Sequence, residues 1–450
     1  MMNLYPHQQE ALNQTEGFQN IAVYHDMGLG KTFTGSEMMK RFGCKVNLIV
    51  CQKSKIQDWI DHFNKHYDTI VYDLTNKKDM ETFMFENDYR PIDGCVGVIN
   101  YELAWRRKDL LNLENFTLML DESSLIQNAS AKQTKFILKL KPAHVILLSG
   151  TPVGGKYENL WTQIHLLGWK ISEDLYKKQY VNWKLTEDDG SGIRHKIVDM
   201  ENPYKNVDRL KSKMRDHGAV FKKTEECFEL PDQVFTQIRV KASKEYWKFK
   251  KDSIITIDTK NICEFHDDSD FYGKDVTPRV ELIGDTTLTK MLYERQLCSQ
   301  YNKDKLDAFR DLVDSTNDRL IVFYNFNAEL EVLKKICHNL EKPTSEINGH
   351  LKDLTAFKTK SNAVCLCQYQ SASKGLNLQE YGCNKIIYFS LPLSSEDFEQ
   401  SKKRIHRIGQ KETCFYYLMI CSGSIEERIL QTLEERKDFT DELFEENKKN

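Results

Sequence analysis

Asp26-Met27-Gly28-Leu29-Gly30-Lys31-Thr32 joins two glycines to a lysine and a hydroxyl, a combination suited to phosphate. Glycines let backbone N–H groups approach anionic oxygens, and a helix N-terminus adds a favourable dipole. In that geometry Lys31 reaches the β/γ-phosphates of a nucleotide and the Thr32 hydroxyl ligates Mg2+. Met27 and Leu29 complete the loop. His25 stands where the general P-loop pattern has a further glycine.

A second chemical signal is Asp121-Glu122, at the end of the apolar run Thr117-Leu118-Met119-Leu120. Two acids at the carboxyl end of a buried strand are costly without a cation. Asp121 is therefore expected to hold Mg2+, and Glu122 to orient and deprotonate an attacking water. Ser149-Gly150-Thr151-Pro152 follows another apolar run, Leu147-Leu148. Far downstream, Gln400, Arg404 and Arg407 are spaced four and three residues apart, which lets them share one helix face. Two guanidiniums with a glutamine suit phosphate, because their charge is permanent and their donors form a fixed fork. His406 reads as structural.

These residues need strands and helices to position them. Ile21–Tyr24 reads as a buried strand before the glycine loop and Phe33–Arg41 as a helix after it. Further apolar runs at Val46–Cys51, Cys95–Asn100, Phe116–Leu120 and His144–Leu148 have counterparts at Leu320–Phe323, Val364–Leu366, Ile386–Phe389 and Phe415–Ile420. Such runs, alternating with helical stretches, indicate two doubly wound α/β lobes with parallel sheets. Leu160–Lys223 and Ser243–Gln300 read instead as helical, charged insertions poor in strands. Loop signals break them at Glu187–Gly192 and Asp267–Gly273, and the acidic run Glu264–Asp270 reads as a solvated loop.

Composition sets the outer limits. At 450 residues the chain exceeds one ordinary core. With 40% hydrophobic and 29% charged residues it reads as soluble and globular, with no apolar run long enough to span a membrane and no signal peptide. A net charge of −3 means that any nucleic-acid surface must be local. Its 12 cysteines lack a Cys-x-x-Cys pair, which indicates reduced thiols in a cytoplasmic protein rather than zinc or disulfides.

Taken together, the blocks resemble those of superfamily 2 nucleic-acid motors, specifically the Swi/Snf-type double-stranded DNA translocases. Leu4-Tyr5-Pro6-His7-Gln8 resembles that family's opening motif, Asp26–Thr32 its Glu-Met-Gly-Leu-Gly-Lys-Thr, and Ile49–Ser54 with Trp59 the motif that lies along DNA. Asn100-Tyr101-Glu102, Val220–Lys223, Leu230-Pro231, Leu292–Cys298, Ile321–Phe326 and Gly375–Gln379 resemble later blocks. His406-Arg407-Ile408-Gly409-Gln410 is the most family-specific string, and Ser424–Ile429 resembles the helix after it.

The resemblance implies two RecA-like lobes, residues 1–230 with a helical protrusion and 231–450 with a helical insertion and a C-terminal brace-like helix. It implies ATP and Mg2+ as cofactors, Gln8 on the adenine edge, and Arg404 and Arg407 completing the site when the lobes close. Lys53, Ser54, Asn100, Thr151, Ser371 and Lys374 are implied as DNA contacts. The function implied is ATP-driven translocation on double-stranded DNA by a chain monomeric when free, in phage or bacterial replication, recombination or repair. The phage or bacterial source also fits sparse proline and plentiful Asn, Lys and Ile. Two rival readings are a strand-separating DNA or RNA helicase and a nucleotide-gated scaffold recruiting a nuclease or replication protein. The chain departs from the family at Ser123-Ser124, where Asp-Glu-x-His is usual, and at Gln127, Ala372-Ser373 and Leu393. Loss of that histidine bears on the link between hydrolysis and the Ser149–Thr151 turn.

Overall fold

A computed structural model of the chain describes residues 4–89, 94–187, 194–258, 279–372 and 378–444. The chain divides into two units, Met1–Phe228 with Asp438–Asn450, and Glu229–Lys437.

In the first unit the apolar runs form β1 (Asn20–His25), β2 (Val46–Cys51), β3 (Ile70–Asp73), β4 (Cys95–Asn100), β5 (Phe116–Asp121) and β6 (His144–Leu148). A hairpin of β7 (Trp183–Glu187) and β8 (Arg194–Val198) and a strand β9 (Ala219–Lys222) follow. The main sheet has seven strands in the order β3-β4-β2-β5-β6-β1-β9. Every pair in it is parallel. Its central strands β1, β2, β4, β5 and β6 are largely apolar and buried because both faces are covered. Ile21 and Val23 pack with Met38, Trp59 and Phe63, while Ala22 and Tyr24 pack with Leu118, Leu120 and Leu147 on the other side. Each such side chain contributes about 1.5–3 kcal/mol when fully buried.

Three helices frame the glycine loop. Helix α1 (Pro6–Gln14) begins with proline, which fits the first helical turn. Helix α2 (Lys31–Phe42) ends at Gly43, whose φ of 70° suits a left-handed cap. Helix α3 (Ile56–His66) buries Ile56, Trp59 and Phe63 along one stripe.

The second unit contains β10 (Gln233–Lys241), an antiparallel hairpin of β11 (Ile254–Asp258) and β12 (Arg279–Ile283), β13 (Leu320–Tyr324), β14 (Thr344–Ile347), β15 (Lys352–Asp353), β16 (Val364–Gln368), β17 (Lys385–Tyr388) and β18 (Cys414–Ser422). Its seven-stranded sheet runs β10-β18-β17-β13-β16-β14-β15. Only the β14–β15 pair in it is antiparallel. Ile321 and Phe323 face one apolar cluster and Val322 and Tyr324 the other. Both units are thus doubly wound α/β sheets, the class indicated by the apolar runs.

The stretches read as strand-poor need correction. Leu160–Lys223 holds the β7–β8 hairpin and β9, which pairs with β1 and closes the edge of the first sheet. Ser243–Gln300 holds the β11–β12 hairpin. These strands are short, and residues of β8 and β12 are largely exposed, so no buried apolar run announces them. Glu187 ends β7; the rest of Glu187–Gly192, with Asp267–Gly273 and Glu264–Asp270, lies outside the described residues. No helix among the described residues is long and apolar enough to cross a membrane.

Candidate nucleotide-binding site

The glycine loop leaves the carboxyl end of β1 and opens into α2, as its sequence implies. Gly30 is the N-cap with φ 70°, and no side chain caps the first N–H groups of the helix. A Cβ at Gly30 would lie 2.4 Å from Gln8 Nε2, so a larger residue would displace the Gln8 amide and strain the left-handed backbone. Lys31 curls over its own loop and donates to the carbonyls of His25 at 2.9 Å and Asp26 at 3.2 Å. The Asp26 carboxylate accepts from the Thr224 N–H and hydroxyl at 3.2 and 3.1 Å, tying the loop to the segment after β9. Gln8 is buried; it donates to Gly30 O at 3.1 Å and accepts from Tyr5 N at 2.8 Å. An adenine edge would have to displace those bonds to reach it.

His25 fills the position of the missing glycine without blocking the loop. Its ring is 1% exposed, and burial, followed by the charge of Lys31, lowers its pKa to about 3. The imidazole is therefore neutral at ordinary pH.

The acids lie at the end of β5. Asp121 Oδ2 accepts from the Trp59 indole at 2.9 Å, and its carbonyl accepts from the Tyr101 hydroxyl at 2.9 Å. Burial raises its carboxyl pKa, opposed by the Trp59 bond and by the charges of Lys31 and Lys55. Glu122 has a φ of 53°, in the left-handed region that disfavours a side chain of this size. Such a backbone stores on the order of 1–3 kcal/mol, and it redirects the side chain away from the strand's alternation.

Strands β5, β6 and β1 are neighbours, so the acids, the Ser149–Pro152 turn and the glycine loop meet at three adjacent carboxyl ends. Gly150 approaches the loop closely: a Cβ there would lie 3.3 Å from Met27 Cγ and 3.4 Å from Lys31 Nζ. Uncapped helix N–H groups beside Lys31 fit a phosphate chain, and a Thr32 hydroxyl with an Asp121 carboxylate is an oxygen donor set that fits Mg2+.

In the second unit the expected shared helix face is absent. The helix Ser395–Lys402 stops before Arg404, and Arg404 to Gly409 form turns. Glu396 and Asp397 in its first turn follow an N-cap Ser394, whose side chain accepts from Asp397 N. Gln400 and Arg404 still meet, with Arg404 Nε donating to the Gln400 carbonyl at 3.2 Å. Arg404 is 1% exposed; burial lowers the pKa of Arg407, with Glu380 opposing. His406 donates its Nε2–H to the Pro231 carbonyl at 3.0 Å, which fits a structural role.

Among the residues assigned to DNA, Lys53 and Ser54 are exposed just ahead of α3. Asn100 is buried and donates to Glu102 at 2.7 Å. Thr151 is buried in the turn, and Ser371 lies in the helix Tyr369–Ala372. Lys374 lies outside the described residues, as do Gly375, Leu376 and Asn377.

The model of the SNF2-related domain matches residues 8–303, and that of the helicase conserved C-terminal domain matches residues 304–409. The chain belongs to the SNF2-related family. This SNF2-related chain is 22% identical to a RAD54-like DNA repair and recombination protein of Drosophila willistoni, over 99% of its own length and 64% of the relative's. It is 23% identical to the putative ATP-dependent helicase/translocase YwqA of Bacillus subtilis, over 98% of the chain and 49% of the relative. To the protein CHROMATIN REMODELING 5 of Arabidopsis thaliana it is 23% identical, over 92% of the chain and 25% of the relative. The chain thus spans between a quarter and about two thirds of these relatives. Among solved structures, the Sulfolobus solfataricus SWI2/SNF2 ATPase core in complex with double-stranded DNA aligns with a TM-score of 0.42 at 19% identity, covering 98% of this chain and 92% of that one.

Sequence reasoning missed several residues that shape the site of this SNF2-related chain. Trp59 follows the motif that resembles a DNA-contacting block, yet its N–H reaches Asp121. Thr224 carries no motif signal, because its bond to Asp26 spans most of the first unit. Gln163 offers one faint sign, a carboxamide just ahead of the apolar Ile164 and near Leu166-Leu167.

Proposed function

We propose that this chain is an ATP-driven motor that moves along double-stranded DNA. The observation that carries the reading is the convergence of Lys31, Asp121-Glu122 and the Ser149–Pro152 turn at adjacent strand ends, in a member of the SNF2-related family. The roles in DNA repair, recombination and chromatin remodelling that its relatives' names carry support DNA as the track.

In this reading the α2 N–H groups and Lys31 bind and orient the phosphates of ATP. Glu122 accepts a proton from the attacking water, its side chain aimed by the left-handed backbone. Mg2+, held by Thr32 and Asp121, would neutralise phosphate charge. Arg404 and Arg407, beside Gln400, supply positive charge to the γ-phosphate during turnover. Lys53, Ser54, Asn100, Thr151, Ser371 and Lys374 contact the DNA backbone, which positions the duplex without reading its sequence.

The test is steady-state ATPase activity with no nucleic acid, single-stranded DNA, duplex DNA and duplex RNA, with Glu122→Gln as the blank. Stimulation by duplex DNA above all others is expected. Stimulation chiefly by single strands or RNA moves the reading to a strand-separating helicase, and none at all moves it to a nucleotide-gated scaffold.

A further inference from the structure

Gln163 lies fully buried in the helix Trp161–Leu166. Its Oε1 accepts from the Ser123 hydroxyl at 2.7 Å and from the Tyr24 hydroxyl at 3.0 Å. Its Nε2 donates to the Pro152 carbonyl at 2.5 Å. A carbonyl only accepts, so the amide orientation is fixed: Nε2 must face Pro152.

The three partners come from the three strand ends that build the site. Tyr24 lies on β1 two residues ahead of Asp26, Ser123 follows Glu122, and Pro152 closes the turn after β6. That turn is also bonded to β1 through Ser149 N on Val23 O at 3.3 Å, and is braced within itself by Thr151 N on Ser149 Oγ at 3.2 Å. Ile164 and Leu167 beside Gln163 are buried apolar residues, so packing alone gives no reason for a carboxamide there. A buried amide is tolerable only with its bonds made, and here every bond goes to a different part of the site.

We propose that Gln163 is the positioning residue that couples the nucleotide end of the site to the Ser149–Pro152 turn, standing in for the histidine that Ser124 replaces. A shift of Glu122 and Ser123 on ATP binding pulls on Gln163 Oε1, and Nε2 carries the shift to Pro152 and the neighbouring Thr151. This inference rests on the motor reading, in which Thr151 touches DNA.

The experiment measures duplex-DNA affinity with and without a non-hydrolysable ATP analogue, together with the ratio of DNA-stimulated to basal ATPase. It compares wild type, Gln163→Met, Ser123→Ala and the double variant, with melting curves on each. Coupling between two sites commonly lies at about 5–150-fold. In both single variants the effect of the analogue on DNA affinity is expected to shrink by about fivefold or more, and the stimulation ratio with it. The double variant is expected to lose no more than Gln163→Met, because both remove the same connection. A purely structural role would lower the melting temperature and leave coupling intact; that result overturns the inference. Should Gln163→Met fail to fold, Ser123→Ala, which deletes one oxygen, decides alone. Wild-type coupling with unaltered variants refutes Gln163 only, whereas a wild type without any coupling overturns the motor reading and this inference together.

Discussion

The indole N–H of Trp59 donates to Oδ2 of Asp121 at 2.9 Å, so α3 is hydrogen-bonded to the acidic end of β5. With the Tyr101 hydroxyl on the Asp121 carbonyl, the residue is held at both its side chain and its backbone. Trp59→Phe keeps an aromatic ring in the core and deletes the donor. Outer partners of a metal ligand typically change metal affinity by about 10–100-fold. The Mg2+ concentration for half-maximal ATPase is therefore expected to rise about tenfold. An unchanged requirement would reduce the bond to packing.

Lys31→Ala removes the cation that, in the proposed function, meets the phosphates. Turnover is expected to fall by about 10²-fold or more, as for loss of other preorganised electrostatic groups. ATP affinity, measured with a fluorescent analogue, should weaken in parallel, and normal turnover would sink the P-loop assignment.

Arg407→Ala should separate binding from chemistry. ATP affinity is expected to stay near that of wild type while DNA-stimulated turnover drops by about 10³-fold or more, the scale of an arginine that stabilises transferring phosphate. Full stimulated activity in this variant would remove Arg407 from the reaction.

His25 makes acid stability a test of the buried loop. Its folded pKa lies near 3, below the unfolded value near 6.5, so between those values the unfolded chain holds the extra proton. Stability should then fall as pH drops from about 6.5 towards 3, by up to about 1.4 kcal/mol per pH unit from this group. In His25→Asn the pH slope of the denaturation midpoint should flatten over that window. An identical slope would show that the acid sensitivity arises elsewhere.

A buried ion pair anchors the second unit. Lys305 and Glu426 are 0% and 3% exposed, with Nζ at 2.7 and 2.9 Å from the two carboxylate oxygens. Glu426 also accepts from Cys421 N at 2.9 Å. The thiols of Cys298 and Cys421 lie within 4.8 Å of this carboxylate, but the cation it bonds is the lysine. Glu426→Ala should destabilise by about 3–5 kcal/mol, because it leaves an unpaired buried ammonium. Lys305→Met with Glu426→Leu should recover much of that loss in denaturant midpoint.

The glycine turn and the main strands were legible because they depend on local chemistry. Gly28, Gly30 and Lys31 belong to one turn, and Val46–Cys51 or Phe116–Asp121 are apolar because both sheet faces are covered. Helix termination before Arg404 was not legible, since spacings of four and three fit a helix and a run of turns alike. Strand β9 escaped notice because an edge strand of four residues has too short a pattern. Trp59, Gln163 and Thr224 bond to partners 62, 40 and 198 residues away, and a linear string carries at most a faint trace of such contacts.

Phe444 has a consequence for synthesis. Its ring packs against Phe221 with centroids 5.4 Å apart, and it belongs to the apolar core beneath β1 and β5. On the ribosome, the N-terminal sheet can pair its strands once Lys222 has emerged, yet it must wait through the whole second unit for its last core side chain. The nascent first unit is therefore left with an unfilled aromatic socket until Phe444 has been synthesised.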